Sequence, residues 1–139
     1  MAKFPAPIPG LVIRYGYLWK REAKLGQVEG QKQRPCAIVV CVEQSGGDQI
    51  VTVAPITRRR PTNLAQAIEL TASTRRRLGL GNKPNWIMAT EVNSFSWPGP
   101  DIRLNAQGTY VYGELPAIVF QALVKKILAA GAPTVKRSV

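Results

Sequence analysis

The chain has 139 residues, 45% of them apolar and 19% charged, a balance that fits one packed domain and excludes disorder outside the ends. Nineteen Lys and Arg against eight Asp and Glu give a formal charge of +11; the implied partner is a polyanion, unless the charge serves only solubility or a ribosome-associated scaffold. There is no histidine and there are only two cysteines, which excludes His-based acid/base catalysis and argues against a zinc site.

In chain order, Met1–Gly10 is proline-rich and lacks the apolar block of a signal peptide, and no stretch approaches a membrane-spanning length. The expected compartment is the cytoplasm, and residues 1–9 and 132–139 are expected to be flexible ends. Leu11 to Trp19 reads as a strand running into the charged stretch Lys20 to Lys24. A polar loop with Gly26 and Gly30 leads to Pro35–Val42, an almost unbroken apolar run that predicts a buried strand. Ser45-Gly46-Gly47-Asp48 then turns the chain into Gln49–Ala54, making a central hairpin. Cys36 and Cys41 lie five positions apart on that first strand, so a period of two sends them to opposite faces as free thiols, as suits a reducing compartment.

Further on, Ala67–Leu70 predicts a brief strand, Thr71–Leu78 one or two helical turns, Gly79–Pro84 a break, and Trp86–Val92 another strand. Asn93–Asp101 reads as a loop, with Asp101 and Arg103 as a local ion pair. Tyr110–Gly113 is a short strand, and Pro116–Ala130 is the one amphipathic helix, its apolar positions being Ile118, Ala122, 124 or 125, Ile127 and Leu128. Several short strands and a terminal helix predict a mainly β fold, a small barrel with a C-terminal α-helix, in one domain.

Without histidine, cleavage of a polyanion falls to arginines, carboxylates and hydroxyls. A cation must offset charge developing on phosphoryl oxygens, and a hydrogen-bonding partner must fix the geometry. Hairpin pairing would bring Arg34, where the polar loop enters the first strand, to Thr57, where the second strand leaves. The bland alternative is a solvated strand-entry residue and a turn hydroxyl. Arg58, Arg59 and Arg60 follow directly and either track a nucleic-acid backbone or form a solvated loop. Arg75–Arg77 read as a solvated helical face. Trp19, Trp86 and Trp97 are expected in the core or a dimer interface, with base stacking as the alternative.

Gly10 with Leu-Val-Ile, the loop Glu29–Gln33, Arg34-Pro35 with Cys-Ala-Ile-Val-Val, Val51–Thr57, Trp86–Trp97 and Gly113-Glu114-Leu115-Pro116 follow one another along most of the chain. Their order resembles that of the MazF/PemK toxins. The resemblance implies an SH3-like barrel that dimerises, cleaves single-stranded RNA with no metal or other cofactor, and is neutralised by a small acidic antitoxin. Cleavage would proceed by attack of the ribose 2′-hydroxyl, leaving a 2′,3′-cyclic phosphate and a 5′-hydroxyl. It implies Arg34 as the residue of proton transfer and charge stabilisation, Thr57 as the phosphate holder and Glu29 as a supporting acid. Lys32, Arg58, Arg59 and Arg60 are the candidate RNA-binding side chains. The chain departs from the pattern with Thr90 where relatives often carry Asp, Glu91 falling on the other strand face. Two other functions stand beside this one: a CcdB-like gyrase poison, which has no need of the Arg-Pro and Pro-x-Thr pair, and an SH3-like nucleic-acid-binding module without catalysis.

Overall fold

The apolar runs of the hairpin become the middle of the structure. In a computed structural model, which describes residues 3–27 and 32–137, β1 is Leu11–Tyr15, α1 Lys20–Lys24, β2 Arg34–Glu43 and β3 Gln49–Thr57. A 3₁₀ turn at Leu64–Gln66 precedes β4 (Ala67–Glu69), α2 (Ala72–Leu78), β5 (Trp86–Met88) and β6 (Val92–Ser96). Then come β7 (Val111–Glu114), α3 (Ala117–Ala130) and β8 (Thr134–Lys136). The strands pair in the order β4-β5-β3-β2-β1-β7, with β6 beside the first half of β3 and β8 parallel to β6. The sheet is otherwise antiparallel and curls into a half-barrel with α3 at its C-terminal end, the mainly β fold expected.

β3 is the hub. One edge pairs along β2, while the other pairs with β6 over Ile50–Val53 and with β5 over Ile56–Thr57. This change of partner splits the single strand expected over Trp86–Val92, and it draws Asn93–Ser96, expected as loop, into the sheet. β1, β3 and the first half of β2 are covered on both faces, which explains their apolar runs, while Val40 and Val42 toward the far end of β2 are exposed. One core packs Val12, Ala37, Ala54, Ile56, Leu78, Ile87 and Leu123. The other packs Ile13, Tyr15, Tyr17, Cys36, Ile38, Val51, Val53 and Phe95. Each buried aliphatic side chain contributes roughly 1.5–3 kcal/mol.

A bulge between Ile38 and Val40 shifts the β2–β3 register. The extra residue resets the alternation, so Cys36, Ile38 and Cys41 all face the second core, not opposite faces as expected. Both cysteines are free thiols.

α3 runs from Pro116 to a left-handed Gly131 at φ 58°, where a side chain would be strained. Val119, Phe120, Leu123 and Ile127 pack on the first core. Ile118 and Leu128, expected inward, are 76% and 75% exposed. The helix carries apolar residues round much of its circumference, so spacing alone did not choose the face.

Parts of both ends are tied to the sheet. Residues 134–136 form β8, and Arg137 is buried, donating to Gly16 O at 2.8 Å and Asn93 Oδ1 at 3.1 Å. Asp101 pairs with Arg137 at 2.8 Å instead of with Arg103, which turns to the carbonyls of Pro100 and Ile102. Phe4 stacks on Tyr110 at 4.4 Å, and Pro5 O accepts from Trp97 Nε1 at 3.1 Å. Among the described residues, no helix is long and apolar enough to cross a membrane.

Candidate functional site

Cys36 pairs with Pro55 across the β2–β3 ladder, and continuing that register by two residues sets Arg34 opposite Thr57. Both stand at the same open end of the hairpin, half-buried. Thr57 Oγ1 accepts from Arg59 N at 3.1 Å. This side-chain turn folds the Arg58–Arg60 run back toward the strand end. The Thr57 hydroxyl keeps its own hydrogen for another acceptor.

Arg34 is held differently. Its guanidinium carbon lies 5.1 Å from the centroid of the Trp19 ring, within cation–π range. Its Nε is buried and, among the described residues, has no hydrogen-bond partner. Leaving such a donor dry costs about 1–3 kcal/mol. The Trp19 platform is fixed from several sides. Asn93, fully buried, accepts from Leu18 N at 2.9 Å and donates to Leu18 O at 2.8 Å, as a neighbouring strand would. Glu22 accepts from Trp19 N at 3.0 Å, and Glu91 accepts from Lys20 N at 2.8 Å and from Tyr17 OH at 3.2 Å.

Two clefts open on either side of the Arg34–Thr57 pair. The first, of about 370 Å³, is lined by Arg14, Lys32, Gln33, Arg34, Pro35, Ile56, Thr57, Arg58, Arg59, Gly79, Leu80, Asn85 and Tyr112. The second, of about 410 Å³, is lined by Trp19, Arg21, Lys32, Arg34, Thr57, Arg59, Arg60, Pro61, Thr62, Gln66 and Met88. Lys32, Arg34, Thr57 and Arg59 belong to both, so the clefts form one groove with the pair at its middle. Every charged side chain described in its lining is a cation. Low-dielectric walls focus such a field on anions.

Neither a known family model nor a curated protein matches the chain. The site therefore rests on its own geometry and chemistry.

Lys32, Arg34, Thr57, Arg58, Arg59 and Arg60 are brought together in the groove. Glu29 lies outside the described residues. Thr90 and Glu91 line neither cleft, and the Glu91 carboxylate braces Tyr17 and Lys20. Arg76 and Arg77 are solvated as expected, while Arg75 bonds Leu70 O at 2.7 Å. Of the tryptophans, Trp86 is buried, Trp97 packs against the second core, and Trp19 alone lines the groove.

Sequence reasoning missed Arg14, Gln33, Asn85 and Tyr112 in the first cleft and Arg21, Gln66 and Met88 in the second. Arg14 left a signal: a lone cation inside the apolar Leu11–Trp19 run. It bonds Gln33 Oε1 at 3.3 Å and Tyr112 OH at 3.4 Å. The others arrive from α1, β5, β7 and their loops, which only the tertiary fold gathers. Burial pushes the ionisation of the Cys36 thiol up, against the pull of Arg34 and Arg137. Burial likewise raises Tyr17, with the Glu91 carboxylate adding to it.

Proposed function

We propose that the chain is a metal-independent endoribonuclease, the toxin of a toxin–antitoxin pair, acting on single-stranded RNA. The observation that carries this reading is the meeting of Arg34 and Thr57 at one strand end, in the middle of an all-cationic groove. A strand lying along the groove would place one phosphodiester between them. The Thr57 hydroxyl donates to one non-bridging oxygen, and the Arg34 guanidinium, including its unpaired Nε–H, takes the other. The ribose 2′-oxygen then bonds to phosphorus as the bond to the 5′-oxygen breaks. The 2′-proton passes to hydroxide from solvent, making water, and the leaving 5′-oxygen takes a proton from water, giving a 2′,3′-cyclic phosphate and a 5′-hydroxyl.

Arg34 contributes most where negative charge on the phosphorane exceeds that of the ground state. A guanidinium supplies charge and hydrogen bonds rather than a base, so the 2′-proton goes to hydroxide from solvent. Arg58, Arg59 and Arg60 hold flanking phosphates. The same groove would receive an acidic antitoxin tail, and the active species would be a homodimer. The free thiols of Cys36 and Cys41 suit the cytoplasm.

The test is cleavage of a single-stranded RNA in EDTA, with the ends identified. Arg34→Ala and Thr57→Ala should each lose about 10²–10³ in rate, as when one preorganised donor is removed, with circular dichroism unchanged. Folded variants with full activity would refute the assignment. A second reading is a binding module without catalysis, favoured by the absence of a described carboxylate in the groove; it predicts tight RNA binding with the strand left intact.

A further inference from the structure

The two halves of the groove differ in kind. The first cleft also holds a ring and amides, but its Tyr112 OH and Gln33 Oε1 accept from Arg14 and its Asn85 is buried, whereas the second sets the Trp19 ring, the Met88 thioether and the exposed Gln66 amide beside the cations Arg59 and Arg60. A ring for a flat face, a soft wall and an amide for an edge together complement a nucleobase. Phosphate alone would call only for the cations.

Both walls are rigid. Trp19 is carried by the Leu18–Lys20 backbone, which Asn93 of β6, Glu91 just before it and Glu22 of α1 all hold. Gln66 ends a 3₁₀ turn capped by Asn63, whose Oδ1 accepts from Ala65 N at 3.0 Å. Lys126 of α3 donates to Ala65 O at 2.9 Å, and Gln66 O accepts from Ala89 N at 2.9 Å. The Gln66 side chain itself is exposed, so its amide is not engaged in holding the fold. The Arg21 guanidinium, 5.4 Å from the Trp19 ring centroid, stands on an exposed helix residue and is free to yield to a base.

We propose that the second cleft is a nucleobase subsite, in which the base next to the phosphate at Arg34 and Thr57 stacks on Trp19 and presents its edge to Gln66. This rests on the ribonuclease reading for the placement of the phosphate. Trp19 thereby has two roles: it orients Arg34 with its ring and seats the neighbouring base. Gln66 is the residue that selects among bases, since an amide can pair bidentately with a base edge while a ring face accepts any base.

The test uses the full chain and short single-stranded deoxyoligonucleotides, which lack the attacking hydroxyl and so report binding apart from chemistry. Affinity is measured by fluorescence anisotropy for an intact strand and for strands with one abasic position moved along them. Wild-type protein should lose roughly five- to 150-fold at one abasic position, the range for a lost base stack. Trp19→Leu should bind intact and abasic strands alike, and Trp19→Phe, which keeps a ring, should recover the discrimination. Gln66→Ala, at an exposed position, should flatten the preference among bases there. No abasic penalty in the wild type would overturn the subsite, as would the full penalty in folded Trp19→Leu. The matching ribose strand separates the two readings. Cleavage indifferent to Trp19 removes the subsite and leaves the ribonuclease. Binding that depends on Trp19 without cleavage removes the ribonuclease and leaves a nucleobase site.

Discussion

Replacing Asn93 should disturb the groove from a distance, and the size of the effect follows from its hydrogen bonds. The side chain is fully buried and satisfies both Leu18 N and Leu18 O, while its Oδ1 also accepts from Arg137. Asn93→Leu, similar in bulk, leaves two buried backbone groups of Leu18 without partners, at about 1–3 kcal/mol each. Arg137 keeps Gly16 O and Asp101, so its share is smaller. The expected loss is about 2–6 kcal/mol, a large part of the roughly 5–15 kcal/mol of a whole domain. Asn93→Asp keeps the acceptor, now charged beside Arg137, and orphans Leu18 O, at about 1–3 kcal/mol for that carbonyl. Urea unfolding followed by far-ultraviolet circular dichroism gives both values. RNA affinity of the folded Asp variant should also fall, because Trp19 follows Leu18 directly. If Asn93→Leu costs under about 1 kcal/mol, less than one orphaned group, the bracing of Trp19 by Asn93 is wrong.

Single-strand affinity should fall with salt, and the logarithmic slope should shrink by about 0.7 for each phosphate that a variant no longer neutralises; Arg58→Ala, Arg59→Ala and Arg60→Ala measured at several salt concentrations check this one residue at a time. Asp101→Asn should lower stability in urea unfolding, because it removes the carboxylate that pairs at 2.8 Å with Arg137, whose side chain is 2% exposed. Stability should decline above about pH 9. Burial raises Cys36, Tyr15 and Tyr17 above their ordinary values of 9.0 and 10.0 in the folded chain. The unfolded chain therefore ionises first, and stability present below those values is lost as pH rises through them. Thermal melting from pH 7 to 11 measures the decline, and Cys36→Ala should move its onset upward; melting unchanged to pH 11 would refute it.

The hairpin was legible because β2 and β3 carry apolar runs closed by a Gly-Gly turn; that placed Arg34 and Thr57 at one end from the sequence alone. What stayed hidden is what a second partner or an extra residue decides. The bulge after Ile38 reverses side-chain parity without any mark such as glycine. The hand-over of β3 from β6 to β5 breaks Trp86–Val92 where composition is smooth. The Lys20–Lys24 helix is one turn long, too short for a periodicity to register. Asp101 finds Arg137 rather than Arg103 because β8 returns the C-terminal segment to β6, a long-range pairing with no local signature.

Charge alone pointed to a polyanion but not to where it would bind, and the groove supplies a physical reason for the place. Gathering Arg34, Arg58, Arg59 and Lys32 around one strand end is repulsive, and burying Arg34 Nε without a partner adds to the cost. Neither is relieved by a carboxylate described in the groove; Glu22 and Glu91, beside the Trp19 platform, are turned to the backbone amides of Trp19 and Lys20 instead. The acids thus stiffen the platform and leave the cations unneutralised. An arrangement of this kind lowers the stability of the empty protein and is relieved by a bound anion, so the ligand that fits should raise the melting temperature by an amount that grows with the logarithm of its affinity. A phosphodiester chain relieves the repulsion along the whole groove, whereas free phosphate relieves it at one point. The larger thermal shift is therefore expected from single strands long enough to fill both clefts.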